Sequence, residues 1–281
     1  MSVAERVEYV EEWGEFSEGA PRTRLTVYNV PDGSTLELRW SSSGESGPVQ
    51  GHRSWRVSGL GIAHDWAVPL NREVTYTVLV DGQVQSTASI TIESDVAWIQ
   101  DPLHPDGALP VHSTRIIDGM LLLDSKAIST ATYANNGTSA NVMGSRYPRF
   151  SSGLRSAASD VSVTMWSDDE PTETSFRTMV LEAPVLLLRP LPRHRLLPPL
   201  AYIAGDVTED QRTVRLGQDL THWALAGNLV QAVLQAAQSG FITYGQVQEL
   251  LGGYTYGEVQ AAASATTYLD WQKNPLIFSN L

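Results

Sequence analysis

The stretch Ala97-Trp-Ile-Gln-Asp-Pro-Leu-His-Pro-Asp-Gly-Ala-Leu-Pro110 divides the chain into two β-rich bodies. It contains the prolines Pro102, Pro105 and Pro110. Proline fixes φ, restricts the residue before it to extended conformations and has no N–H to donate. We therefore predict that no strand or helix runs through residues 97–110, and that this stretch is a stiff, packed connector. Trp98 and Ile99 would pin it against one of the two bodies.

Potential metal ligands lie in or beside this connector. They are Asp101, His104, Asp106 and His112. Their spacing matches no standard zinc pattern, and the chain has no cysteine, which excludes disulfides, cysteine-bound zinc and thiol catalysis. A metal site here remains the alternative, but we predict no metal and no cofactor.

The composition limits the classes of partner. With 281 residues, of which 42% are hydrophobic, the chain is long enough for about two domains. No apolar run approaches the roughly 20 residues of a membrane helix. The net charge of -12 argues against binding to a phosphate backbone. We predict neither a membrane nor a nucleic-acid partner.

The first 20 residues are acidic. The glutamates are Glu5, Glu8, Glu11, Glu12, Glu15 and Glu18. A basic segment of the kind that begins a secretory signal is missing here. We expect residues 1–20 to form a solvated first segment, with docking on a basic partner as the alternative.

Residues 21–96 alternate apolar and polar side chains. The predicted strands are 25–30, 36–40, 74–80 and 84–92, with weaker candidates at 53–57 and 65–68. Pro31-Asp32-Gly33 predicts a turn, and Asp81-Gly82 predicts a type I′ hairpin. Several short strands of this kind are typical of a fibronectin type III or immunoglobulin-like β-sandwich, a module that usually spaces, stiffens or binds.

Residues 111–225 predict a second β-rich domain, a β-barrel or sandwich with one packed helix. Asp118-Gly119 predicts a hairpin between strands 113–117 and 120–124. The other predicted strands are 160–166, 184–189, 200–207, 213–216 and 221–225. Asp168-Asp169-Glu170-Pro171 has the chemistry of a helix start, and the helix should span 172–183. A carboxylate pair for acid–base or metal chemistry is the alternative.

Residues 226–281 predict a helical region with an internal repeat. A helix over 227–238 precedes three units of period 12: Thr243-Tyr-Gly-Gln-Val247, Thr255-Tyr-Gly-Glu-Val259 and Thr267-Tyr-Leu-Asp-Trp271. Thr followed three residues later by Gln or Glu is a capping box, so each unit should begin a short helix. Core packing of the tyrosines is favoured over stacking on sugars or bases. The candidate partner interface consists of Tyr244, Tyr256, Tyr268, Trp271, Leu276, Ile277 and Phe278.

Catalytic motifs are missing from the sequence. Its histidines, His52, His64, His104, His112, His194 and His222, have no zinc spacing, and no nucleophile elbow, phosphate loop or Rossmann glycine pattern occurs. A triad assembled in space around His64-Asp65 remains an alternative. We predict that the chain is not an enzyme.

Three motifs together resemble minor tail proteins of long-tailed, siphovirus-type actinobacteriophages. They are Trp98-Ile-Gln-Asp-Pro-Leu-His-Pro, Tyr202-Ile-Ala-Gly-Asp-Val-Thr208 and Thr221-His-Trp-Ala-Leu225, and the C-terminal Thr-Tyr repeat is similar as well. The resemblance covers about residues 70 to 271. It implies an N-terminal β-sandwich joined to a β-rich second domain, and no catalytic residues.

The resemblance implies a virion structural protein at the tail tip, assembled in the cytoplasm of the bacterial host. Its partners would be other tail proteins, and it would be present as a homo-oligomeric ring or in several copies. A module that binds host-envelope glycan is the alternative. A glycan-cleaving tail enzyme is a third hypothesis.

Overall fold

The computed structural model shows a mainly β protein in which an open sheet packs on a closed barrel. It describes residues 4–10, 20–113, 119–123, 131–141, 143, 146–153, 155–213 and 219–233. The sheet contains β1 (Ala4–Val10), β2 (Arg22–Ser42), β3 (Glu45–Pro48), β4 (Trp55–Asp65), β5 (Glu73–Val80) and β6 (Gln83–Thr91). One continuous cluster of buried apolar side chains runs from this sheet into the barrel.

The long strand β2 organises the first body. Residues 22–28 of β2 pair with β1, and residues 36–41 pair with β5. The other edge of β2 pairs with β4 and then with β3. The predicted two-sheet sandwich is not confirmed, because the described strands form one hydrogen-bonded sheet. Within the acidic segment predicted for residues 1–20, residues 4–10 form strand β1 and pair with β2.

The predicted turn at Pro31-Asp32-Gly33 is an irregularity inside β2. Asn29 has a φ of 58° and Gly33 a φ of 73°, and the pairing with β4 shifts register on both sides of Val30. Extra residues of this kind bend and twist a strand without ending its pairing. The turn-forming residues therefore produce a β-bulge here, and the strands predicted at 25–30 and 36–40 are both parts of β2.

The hairpin between β5 and β6 is confirmed. Asp81 and Gly82 both have positive φ, 49° and 77°, as a type I′ turn requires. Burial alternates along β5, with Val74, Tyr76 and Val78 almost fully buried. This alternation matches the period of 2 that predicts a half-buried strand.

The second body is a closed barrel, which is one of the two predicted architectures, barrel or sandwich. Its strands are β7 (Ala97–Gln100), β8 (Leu109–His112), β9 (Leu121–Leu123), β12 (Val161–Ser167), β13 (Leu186–Arg189), β14 (Ala201–Thr213) and β15 (Asp219–Leu229). Their order around the barrel is β12-β15-β14-β13-β7-β8-β9. A separate two-stranded hairpin, β10 (Gly137–Ala140) and β11 (Arg149–Ser152), is inserted before β12.

The predicted connector at residues 97–110 is wrong, because this stretch belongs to the barrel. β7 and β8 pair antiparallel, and a short 3₁₀ turn at Pro105–Gly107 joins them. Pro102 also falls between the strands, where no ladder hydrogen bond is needed. Pro110 lies before β8 begins to pair with β9, so β8 is an edge strand at that point, where proline is tolerated.

Apart from Ser113, the first strand of the hairpin predicted at Asp118-Gly119, residues 113–117, lies outside the described residues. β8 and β9 pair in parallel, with Val111 opposite Leu121. Parallel neighbours cannot be joined by a two-residue turn, because the chain must return to the starting end of the first strand. Residues 114–118 lie outside the described part of the chain.

Helix α1 (Glu170–Glu182) confirms the predicted helix start. The Asp169 side chain accepts a hydrogen bond from the Thr172 N–H at 2.9 Å, and Pro171 lies in the first turn. Phe176 is fully buried, and its ring meets the Trp223 ring edge-on at 5.0 Å. The helix therefore packs on the barrel through one stripe of its surface.

Within the described residues, no helix has the length and apolar character needed to cross a bilayer.

The helix predicted over 227–238 is wrong at its beginning, because β15 continues to Leu229. Gly227 lies directly opposite Gly205 of β14. A Cβ built on Gly205 would stand 2.1 Å from the Ala226 carbonyl oxygen. Glycine is needed at this crossing for close approach of two backbones. The predicted repeats at residues 243–271 lie outside the described residues.

Candidate functional site

The barrel strands β7 and β13 are buried on both faces. Successive side chains of a strand point to opposite sides. Leu186 and Leu188 belong to the main core, whereas Leu187 packs with Ala67 and Tyr202 in a second apolar cluster. This second cluster lies between the barrel and the sheet. We call the contact between the two bodies the junction.

Asp65 lies at the end of β4, on the sheet side of the junction. One carboxylate oxygen accepts a hydrogen bond from the Tyr76 hydroxyl at 2.7 Å, and the other accepts from the Ala67 N–H at 3.0 Å. Asp65 is 1% exposed and Tyr76 is 0% exposed. The carboxylate therefore fixes the bend by which the chain leaves β4.

Side chains of the barrel bind the backbone that follows this bend. Arg189 Nε donates to the Val68 carbonyl at 2.9 Å, and Gln100 Nε2 donates to the Trp66 carbonyl at 3.1 Å. Arg189 and Gln100 are both 0% exposed. The outward side chains of β13 and β7 thus replace water as partners of the sheet's backbone carbonyls.

One further hydrogen bond crosses the junction, and a cation–π contact lies on its sheet side. Gln50 Nε2 donates to the Pro102 carbonyl at 2.7 Å, from the sheet to the turn between β7 and β8. The Arg22 guanidinium lies over the Trp66 ring, 4.3 Å from its centroid. A cation on an aromatic face is favoured most when both groups are withdrawn from water, and Arg22 is 1% exposed.

Burial dominates the electrostatics of the junction. It raises the pKa of Asp65, and the hydrogen bonds from Tyr76 and Ala67 and the charge of Arg189 oppose that rise. Burial and the neighbouring Asp65 raise the pKa of Tyr76. Neither group reaches solvent, so a substrate has no access to them. Their hydrogen bonds fix the sheet side of the junction.

The His64-Asp65 pair is not arranged as a triad. Asp65 is hydrogen-bonded to Tyr76 and Ala67, and within the described residues no hydrogen-bond partner meets the Nδ1 of His64. Burial, with the charges of Arg22 and Arg24, lowers the pKa of His64 to about 3. His64 is therefore neutral at physiological pH.

A cleft of about 820 Å³ opens where the sheet and barrel diverge. Arg72 on the sheet side donates to the Ser43 hydroxyl at 3.3 Å. Burial raises the pKa of Glu45 in the same wall, and Arg72 opposes that rise. Tyr133, 55% exposed, lies on the barrel side. This is an accessible concave surface with an aromatic ring and charged groups.

The four residues considered as an alternative metal site are Asp101, His104, Asp106 and His112, and the first two serve other contacts. His104 Nδ1 lies 2.7 Å from an Asp101 carboxylate oxygen, and the other Asp101 oxygen accepts from the Leu103 N–H at 2.8 Å. These contacts build the turn after β7. Across the described ranges, no group of three or more histidine or acidic side chains is placed to hold a metal ion, so Asp106 and His112 complete no such set.

The β10–β11 hairpin carries several large, exposed apolar side chains. Met143, Tyr147 and Phe150 are 101%, 76% and 55% exposed. We call this hairpin with its flanking residues, 132–159 where described, the arm. None of the strands predicted from the sequence covers β10 or β11. The available signal is that residues 125–159 contain arginine and lysine but no acidic residue.

The candidate interface residues from the C-terminal repeats lie outside the described residues. They are Tyr244, Tyr256, Tyr268, Trp271, Leu276, Ile277 and Phe278. Their role in binding a partner stays a prediction.

Comparisons of the whole chain find no protein-family model, no curated protein and no solved structure that matches it. A proposal for its function rests on its own residues and their geometry.

Proposed function

We propose that this chain is a virion structural component, a minor tail protein in the distal tail or tail tip of a long-tailed phage. It would assemble with other tail proteins in the cytoplasm of the bacterial host. It acts by shape and surface contact and not by catalysis.

The observation that carries the proposal is the rigid junction. Charged and polar side chains are hydrogen-bonded across it while being almost fully withdrawn from solvent. The hydrogen bond from the charged Arg189 contributes about 1.5–3 kcal/mol, and those from the neutral Gln100 and Gln50 about 0.5–1.5 kcal/mol each. A fixed angle between two bodies suits a part that must fit repeatedly into a particle.

The three motifs that resemble the tail-protein family also support the proposal, because their residues are neighbours in space. Trp98 is on β7, which pairs with β13. The motif at residues 202–208 is on β14 and the motif at 221–225 is on β15, and these two strands pair with each other. The resemblance thus involves one continuous part of the barrel wall.

Purified particles provide the test. Virions released by the host that produces this chain are separated by density and examined by mass spectrometry, and a labelled antibody against the recombinant protein locates it by electron microscopy. We expect peptides from both bodies at a constant ratio to other tail proteins, with label at one end of the tail. Expression during infection with no trace in purified particles would contradict the proposal.

A second candidate function is binding to host-envelope glycan, and the cleft favours it. Tyr133 offers a ring face beside charged groups in a concave surface, an arrangement that suits sugar stacking with polar orientation. Titration of cell-wall polysaccharide into the wild-type protein and into Tyr133→Ala tests it. Saturable heat that the substitution abolishes would support this function, and no heat from the wild type would reject it.

A further inference from the structure

The arm and helix α1 carry opposite charge on a chain whose net charge is -12. Residues 125–159 contain Lys126, Arg146, Arg149 and Arg155 and no acidic residue. Residues 168–182 contain five acidic residues and one arginine. Such separation gives one molecule a basic surface and a distinct acidic surface.

The basic surface is firmly held. Thr132 and Ser159 exchange backbone hydrogen bonds of 2.7 and 3.0 Å at the base of the arm, and Arg155 donates to the Tyr133 carbonyl at 3.0 Å. β10 and β11 then pair over four residues each. Phe150 packs over Gly137, where an added Cβ would come within 2.2 Å of the ring. The arm is therefore a preformed projection.

The exposed side chains of the arm are of the types that dominate protein interfaces. Arg146, Tyr147, Arg149 and Phe150 are all exposed. Tyrosine, phenylalanine and arginine are enriched where protein surfaces meet, because each combines a large contact area with little loss of conformational freedom or with several hydrogen bonds. Water is a poor environment for so much aromatic surface.

The acidic surface offers the matching features. Glu170, Glu182 and Glu209 are exposed on α1 and on β14, and Leu181, next to Glu182 in the chain, is 80% exposed. Arg177 links the helix to Glu209 with an Nε contact of 3.1 Å. We call this surface of α1 and β14 the acidic face. The exposed leucine and glutamates of this face complement the exposed aromatic rings and arginines of the arm.

In the described structure the arm does not cover the acidic face of its own chain, because residues 146–150 of the arm and Glu170, Leu181 and Glu182 of the acidic face are all exposed. The arm joins the barrel at Ser159, just before β12, and α1 begins just after β12 ends. Seven residues of strand separate these ends by about 20 Å. Both surfaces are thus open to a second molecule, with the arm of one against the acidic face of the next.

We propose that the arm binds the acidic face of a second copy of this chain in a head-to-tail contact. Different surfaces meet in such a contact, so it forms a ring where the rotation closes and a filament where it does not. The inference rests on the proposed function for its biological setting, since it names how copies meet in a particle, but its physical basis is independent of that setting.

Sedimentation of the full-length protein tests the contact, with two double variants. Arg146→Glu/Arg149→Glu reverses the arm, and Glu170→Lys/Glu182→Lys reverses the acidic face. The matched control is Arg53→Glu/Arg56→Glu, two exposed arginines of the sheet. We expect the wild type and the control to self-associate at low salt and to dissociate as salt rises. Each test variant alone should associate at least about tenfold more weakly.

A mixture gives the sharpest outcome. The two test variants in equal amounts should associate with each other, because the intact arm of one meets the intact acidic face of the other and their reversed surfaces also carry opposite charge. A mixture that stays monomeric, a wild type that stays monomeric, or an arm variant that associates like the wild type would each overturn the inference. If a soluble polyanion binds the monomeric wild type and not the arm variant, the arm serves an anionic polymer instead.

These outcomes are separable from the test of the proposed function. A protein that is monomeric in solution but present in purified virions contradicts the head-to-tail contact alone. A protein that assembles head to tail but is absent from virions contradicts the tail assignment alone.

Discussion

At the junction, Arg189 and Asp65 are buried between two bodies and hydrogen-bonded there, whereas Arg146 and Arg149 on the arm are exposed to solvent. A buried charge is held by the fold and in turn fixes the fold, because leaving it without partners is costly. An exposed charge contributes little to stability and remains available to another molecule. The same residue type thus serves internal geometry in one region and external contact in the other.

Removing the buried guanidinium should have the largest effect. Arg189→Ala deletes the donor to Val68 and removes the cation near Asp65, so we expect a loss of about 3–5 kcal/mol in the free energy of unfolding. Urea denaturation followed by tryptophan fluorescence measures it. Arg39→Ala is the control, since Arg39 is 60% exposed in its side chain and should change stability by less than about 0.5 kcal/mol.

If Arg189→Ala lowers the free energy of unfolding no more than Arg39→Ala does, buried and exposed arginines do not differ in their effect on stability. That result would mean that the junction tolerates the missing charge, for example by admitting water. If Arg189→Ala does not fold, Arg189→Lys keeps the charge and serves as the second variant. The lysine cannot reproduce the planar guanidinium geometry, so a smaller but measurable loss is expected.

The pH dependence of stability should show the next effect. The pKa of His64 falls from an ordinary value of 6.5 to about 3 in the folded protein. The unfolded chain therefore binds the extra proton first as pH decreases, and stability falls from about pH 6.5 downward toward pH 3. Between about pH 6.5 and 4.5 we expect His64 to account for about 1–2 kcal/mol of the loss, allowing for its partial exposure.

His64→Gln isolates this term, because glutamine does not titrate in this range. The difference in unfolding free energy between wild type and variant, measured by urea denaturation at several pH values, should change with pH in this window. Asp65 has a raised pKa, so its contribution runs the opposite way and is lost as pH rises through its folded pKa. A wild-type curve parallel to the variant curve would show that His64 is protonated normally.

The local parts of the fold could be predicted from the sequence. Asp81-Gly82 makes its hairpin, and Asp169 caps α1, because each depends on residues within one turn of chain. The long-range parts could not be predicted in this way. Proline spacing in residues 97–110 is equally compatible with a connector and with two short strands around a turn, and only the barrel neighbours decide between them.

The candidate site shows the same limit. Leu186–Arg189 is recognisable as a buried strand, but the acceptor of Arg189 lies 121 residues earlier in the chain. No local pattern records that pairing. The arm is different, since its lack of acidic residues is visible in the sequence, and its exposure follows only once β10 and β11 are known to pair with each other.

Removing the N-cap of α1 should cost less stability than removing Arg189 and more than changing the arm. Asp169 is partly buried and accepts from the Thr172 N–H at 2.9 Å and, more weakly, from the Gly119 N–H at 3.4 Å. Asp169→Ala should cost about 1 kcal/mol, the usual value of an N-cap. Asp169→Asn keeps the acceptor and is the control, and thermal unfolding by circular dichroism compares them. Equal losses in both would assign the effect to charge near the helix dipole and not to the cap.

The arm should show the smallest effect on stability and the largest on association. Arg146→Glu/Arg149→Glu changes side chains that are exposed in the described structure, so the free energy of unfolding should change by less than about 0.5 kcal/mol. The same variant should lose self-association at low salt. Urea denaturation and sedimentation on one sample measure both quantities. A large loss of stability without loss of association would show that the arm's arginines stabilise the fold. The arm would then not differ from the junction, because the charged side chains of both regions would serve internal structure.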